Sequence, residues 1–117
     1  PERYKFLKEK PSLINEFINE GVLFQLNSGS IEGIFGKKVK KTATLFLEKG
    51  IYNFIGSDAH NVTNRVTGIR EGYELSVSKN KIYKRLFKES AEKLLKNEDI
   101  KFYGEKMKER KKFLFFG

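Results

Sequence analysis

The sequence predicts an α/β fold built on parallel strands, and three observations carry that expectation. Two segments repeat apolar residues at helical spacing, and each is followed by a glycine and then a short apolar run of strand length. The resulting order of helix, strand, loop, helix, strand is the rhythm of a parallel sheet. A polar stretch, Ser57-Asp58-Ala59-His60, follows the second strand directly. Parallel α/β folds place their reactive groups beyond the C-terminal ends of strands.

The first helix is expected over 11–21. Pro11 suits its first turn, Leu13, Ile14, Phe17 and Ile18 share one face, and Gly21 supplies the stop. Residues 22–27, VLFQLN, read as a buried-type strand. Residues 28–36, SGSIEGIFG, read as a turn-rich loop with three glycines. A second helix runs from Lys37 to Lys49, with Val39, Ala43, Phe46 and Leu47 inward and Gly50 after it. Residues 51–56, IYNFIG, make the second strand. Ile69, Tyr73 and Val77 suggest a short helix. Ile82, Leu86, Phe87, Ala91, Leu94 and Leu95 define a longer one that stops at Asn97. Two strands fall short of a stable parallel sheet, which needs neighbouring strands and helices on both faces. The expectation is therefore the C-terminal portion of a larger α/β fold. The chain begins at Pro1 without an initiator Met, as a processed or truncated chain does.

Composition narrows the chemistry. The chain has no cysteine, so disulfides, thiolate nucleophiles and Cys-based zinc sites are excluded. That is compatible with a cytoplasmic location. No apolar run has the length of a bilayer span and no secretory leader is visible, so membrane insertion is not expected. The net charge of +9 favours anionic partners: nucleic acid, acidic surfaces or anionic substrates. Its densest patches are GKKVKK at 36–41 and GEKMKERKK at 104–112, whose ordinary role is a solvated helix face. The terminal KKFLFFG is an aromatic run that requires a covering surface.

His60 is the single histidine. In an extended segment residues i and i+2 point the same way, so Asp58 and His60 can converge on one ion. Oxygen with nitrogen ligation suits Zn, Mn or Fe, which polarises a phosphoryl oxygen and acidifies bound water. The plainer alternative makes His60 a hydrogen-bonded structural residue and Asp58 a turn or cap. Two protein ligands are fewer than the three usual in catalytic sites, so a complete site draws on residues outside this chain. Ser57 as a nucleophile demands a different triad geometry. Asn61 caps a turn or orients a water. Gly29, Gly33 and Gly36 expose amides or simply turn the chain, and they lack the Gly-Lys-Ser/Thr ending of a phosphate-binding loop.

Several motifs occur in a telling order: PERY at 1–4, QLNSGSIEGIFGKKVKKTA at 25–43, FIGSDAHN at 54–61, and Arg65. Together they resemble the C-terminal half of bacterial tyrosine phosphatases of the polymerase and histidinol phosphatase (PHP) superfamily, the capsule- and exopolysaccharide-locus enzymes. The resemblance covers 1–104, and 105–117 stands apart as a basic and aromatic tail. It implies the C-terminal portion of a distorted, TIM-like β/α barrel carrying two or three metal ions, Mn foremost, with Fe, Zn and Mg used by other members. It implies Asp58 and His60 as metal ligands, with His60 alternatively protonating the leaving group, and Arg3 and Arg65 as substrate arginines. The implied reaction is metal-assisted hydrolysis of phosphotyrosine on a kinase that controls polysaccharide export, met at the membrane where that kinase resides. The family's other ligands match nothing in this chain, so the 117 residues alone are expected to be inactive.

Two other readings compete. One is a different PHP-type phosphoesterase acting on small phosphate esters or nucleic acid, which shares the Asp-x-His pair. The other is a basic nucleic-acid-binding module, motivated by the charge. Zinc-finger, RRM and K-homology signatures are missing for the latter, and nucleic acid is not the expected partner.

Overall fold

The computed structural model describes residues 1–56 and 62–107, with residues 62–68 given as helical backbone only. The chain is a mixed α/β structure around a small parallel sheet. Helix α1 (Lys5–Glu9) leads into a 3₁₀ turn, Pro11–Leu13, and helix α2 (Ile14–Asn19). Strand β1 (Phe24–Asn27) is followed by α3 (Ser28–Glu32) and α4 (Lys37–Glu48). Strand β2 (Tyr52–Gly56) precedes α5 (Val62–Lys79) and α6 (Tyr83–Leu95).

The two strands pair in parallel, with Gln25 opposite Phe54, Leu26 opposite Ile55 and Asn27 opposite Gly56. The crossover between them is α3 plus α4, as a parallel pair requires a long connection. The inward face of α4 is the one its spacing predicts: Val39, Ala43, Phe46 and Leu47 are buried. Of these, Ala43, Phe46 and Leu47 meet Leu26, Ile51 and Tyr52 of the strand layer in one core that also takes in Ile14 and Leu7. Helix α6 closes that core with Tyr83, Leu86 and Phe87, the Tyr83 and Phe87 rings stacking with their centroids 4.8 Å apart.

Three elements differ from the sequence expectation. Residues 28–32 are helical, not loop: the Asn27 side chain accepts the Gly29 N–H at 3.0 Å, and Gly33 closes the turn at φ 90°. An Asn cap before SGSIE and a glycine after it were the signal, hidden by three glycines in nine residues. The short helix expected around 69–77 extends over 18 residues, because its N-terminal turns carry few apolar positions from which to read a period. Helix α1 has one buried residue, Leu7, too little for periodicity to show. Asn97, the expected stop, does take the left-handed conformation at φ 58°.

The chain after α6 returns across the sheet layer. Asn53 Nδ2 donates to the Lys101 carbonyl at 3.0 Å, and the Glu105 N–H donates to the Lys49 carbonyl at 2.7 Å. Gly104 packs on the Gly50 backbone so closely that a Cβ there would collide with the Gly50 carbonyl. Asn15 then holds Met107 by two hydrogen bonds, donating to its carbonyl at 2.8 Å and accepting its N–H at 2.9 Å. This strap joins the end of the described chain to α2.

Candidate active site

Because Asn27 and Gly56 are register partners, both strands end at the same level, and the segments leaving them start side by side. Beyond β1 lies α3. Beyond β2 lies the stretch containing Asp58 and His60, which falls outside the described residues. Arg65 sits in the first turn of α5, and its backbone alone is described. Among the described residues, no three His, Cys, Asp or Glu side chains form a metal-holding group.

The N-terminal residues are held by a buried carboxylate. Glu2 is 2% exposed. Its Oε2 accepts the Ser30 hydroxyl at 2.9 Å, and its Oε1 accepts the Tyr52 hydroxyl at 2.6 Å. Ser30 belongs to α3 and Tyr52 to β2, so one side chain ties residues 1–4 to both. Burial pushes the Tyr52 phenol well above its ordinary range, and the neighbouring Glu2 charge pushes it further, so it remains a donor. A carboxylate buried with two hydroxyl donors and a short bond is firmly oriented.

That anchorage sets where Arg3 leaves the backbone. Its guanidinium lies over the Phe35 ring, 4.1 Å from the centroid. Phe35 stands in the connection between α3 and α4 and reaches back over Gly29, two residues past the end of β1. The stacking fixes the plane of the guanidinium against the Phe35 ring. The structure thus places Arg3 beside α3, near the end of β1.

A second acidic group lies between α3 and α5. Glu32 Oε2 is shielded from solvent and faces no fixed donor. Burial first, then a hydrogen bond to Glu71 and its charge, raise the Glu32 carboxyl to about 7. The helices approach closely here: a Cβ on Gly72 of α5 would sit 2.6 Å from the Ser28 Cβ.

Sequence reasoning singled out Arg3 and passed over Glu2, Ser30, Tyr52 and Phe35. Glu2 and Tyr52 are fifty residues apart, and nothing local marks their bond. The one available signal was an acid between Pro1 and Arg3 in a strongly basic chain. The donor set of Asp58 and His60, one carboxylate oxygen and one imidazole nitrogen, fits a transition-metal ion in chemical type. The end of β2 at Gly56 starts that stretch at the level where β1 ends.

Residues 1–101 match the family model described as "Capsular polysaccharide synthesis, CpsB/CapC". The chain is 36% identical over 118 residues to the tyrosine-protein phosphatase YwqE of Bacillus subtilis (strain 168), covering 99% of this chain and 46% of that protein. It is 35% identical over 107 residues to the tyrosine-protein phosphatase CpsB of Streptococcus agalactiae, covering 85% of this chain and 44% of that one. A crystal structure from work on YwqE of Bacillus subtilis and CpsB of Streptococcus pneumoniae, described as unique metal-dependent tyrosine phosphatases, superposes with a TM-score of 0.78 at 33% identity. The superposition covers 93% of this chain and 45% of that structure. The chain spans about half the length of the curated relatives it matches.

Proposed function

This chain belongs to the CpsB/CapC family of capsular polysaccharide synthesis, and on that premise we propose that it forms the C-terminal part of a metal-dependent protein-tyrosine phosphatase. In this reading residues 1–104 complete a PHP barrel whose remaining strands lie in the other half of the family's length. Residues 105–117 form a basic and aromatic tail. The single observation that supports the reading best is the match across 1–101, which contains every motif residue discussed above. The substrate is phosphotyrosine on a kinase governing capsule or exopolysaccharide synthesis, and the location is cytoplasmic. Among the described residues no helix is long and apolar enough to cross a membrane.

Asp58 and His60 are the residues of this chain that would hold a metal ion, Mn²⁺ foremost. When bound, such an ion supplies Lewis-acid stabilisation of phosphoryl charge and lowers the pKa of water. Arg3 and Arg65 bind the phosphoryl oxygens through their planar N–H forks and neutralise charge that builds up as the tyrosyl oxygen leaves. Glu2 orients the backbone from which Arg3 projects. These 117 residues alone should turn over little substrate, since they bring only one Asp-x-His pair.

The test is hydrolysis of a phosphotyrosine peptide by the complete protein, with metal content measured on the same samples. Asp58→Ala and His60→Ala should lower metal occupancy and turnover together. Full occupancy and full rate in both variants would return His60 to a structural role.

A further inference from the structure

The lysines of α4 are poorly explained by the fold. Lys37, Lys38, Lys40 and Lys41 are all exposed, whereas Val39, Ala43, Phe46 and Leu47 of the same helix are buried. They fill the first turns of the helix, where positive charge opposes the macrodipole, and that first turn contains no acidic residue. Lys37 has Lys40 and Lys41 at the i+3 and i+4 positions, and Lys38 has Lys41 at i+3, so the nearest charges along the helix repel. Among the described residues none of the four makes an ion pair within 4.0 Å. The nearest acids in sequence are Glu32 and Glu48. Ile34, beside this face, is 70% exposed. Phe35, which carries the Arg3 guanidinium at 4.1 Å, is two residues from Lys37 and three from Lys38.

We propose that the lysine face of α4, with Ile34 at its edge, docks an acidic stretch of polypeptide flanking the phosphotyrosine that Arg3 receives. The inference rests on the phosphatase reading above and deepens it to a substrate class. Three residues of chain span at most about 11 Å, which bounds the distance between Phe35 and Lys38 backbones. Asp or Glu residues two to four positions from the phosphotyrosine therefore reach the lysines while the phosphate lies at Arg3. Ile34 supplies an apolar contact between the two charged regions. Four exposed lysines attract an acidic peptide over about 8 Å at physiological salt, so the effect falls on encounter and on kcat/KM.

The experiment uses the complete, metal-loaded phosphatase and two phosphotyrosine peptides that differ only in flanking residues, Asp and Glu in one, Ser and Gln in the other. The wild type should favour the acidic peptide by about tenfold in kcat/KM at low salt, with the ratio shrinking toward one in high salt. The double variant Lys38→Glu, Lys41→Glu should abolish or reverse that ratio, while the Lys38→Gln, Lys41→Gln pair should lower it part way. Equal kcat/KM for both peptides in the wild type overturns the docking surface and leaves the phosphatase reading standing. An undiminished preference in both lysine variants does the same. Hydrolysis of neither peptide by the wild type overturns the phosphatase reading, and this inference with it. A lysine face that binds single-stranded DNA, with no effect of the variants on the peptide ratio, overturns the acidic-peptide assignment.

Discussion

Tyr52 donates its phenolic hydrogen to Glu2 Oε1 at 2.6 Å, joining the start of β2 to the segment that carries Arg3. The bond lies in the interior, with Tyr52 fully buried and Glu2 2% exposed. Removing the Tyr52 hydroxyl takes the short bond from the buried Oε1, which keeps the Pro1 amino group at 3.9 Å, while Ser30 still donates to Oε2. Tyr52→Phe should therefore destabilise the chain by about 1.5–3 kcal/mol, the range for a hydrogen bond to a charged group. Ser30→Ala removes only the 2.9 Å hydroxyl donor and should cost less. Urea unfolding of both variants measures this, and unchanged midpoints would sink the anchoring role of Glu2.

Stability should fall as pH rises through the Glu32 titration. Its carboxyl is raised from 4.5 to about 7, by burial and then by Glu71. The folded chain thus holds a proton that the unfolded chain has already released, and stability declines from about pH 4.5 to about pH 7, then levels off. Glu71→Gln gives Glu32 a neutral neighbour and should flatten the slope. Thermal midpoints at pH 5 and pH 8 for both chains test it; identical slopes would place the pair outside the pH response.

The α3–α5 crossing depends on the missing side chain at Gly72. A Cβ there would stand 2.6 Å from Ser28 Cβ and 3.1 Å from Ser28 Cα. Gly72→Val should cost about 1–3 kcal/mol by overpacking, despite the conformational cost that glycine itself carries in a helix. Ser28→Gly removes the nearer of those two atoms, so the double variant should lose less than the sum of the singles. Additive losses would mean that the helices do not press on each other at this point.

Arginine geometry is open to a conservative swap. In the complete protein Arg65→Lys and Arg3→Lys should keep metal and fold, while kcat/KM falls, with the milder loss at Arg3. A lysine keeps the charge and loses the planar fork that grips two phosphoryl oxygens. If the grip forms mainly in the transition state, kcat falls; if it forms equally with substrate, KM rises. Steady-state kinetics at verified metal loading decide between them, and unchanged kcat/KM in both variants removes the clamp.

How much could be read before the structure depends on the range of each interaction. Val39, Ala43, Phe46 and Leu47 announced α4 because a helix records its buried face in a 3.6-residue period, and all four are buried. The glycine after that helix and the apolar run that follows marked β2 for similar local reasons, as Asn97 marked the end of α6. From these the parallel α/β rhythm followed, and the end of β2 at Gly56 with it; Asp58 and His60, expected just beyond, lie outside the described residues. Tertiary structure alone decided the rest. That Glu2 meets Ser30 and Tyr52, that Arg3 lies on Phe35, that Gly72 lets α5 close on Ser28, and that Asn15 receives Met107 are contacts over long sequence separations. No periodicity encodes such pairs, because their partners come together only once the sheet and its helices have fixed the path of the backbone. Local chemistry determined the elements and the motif order; the folded packing determined which side chain holds which.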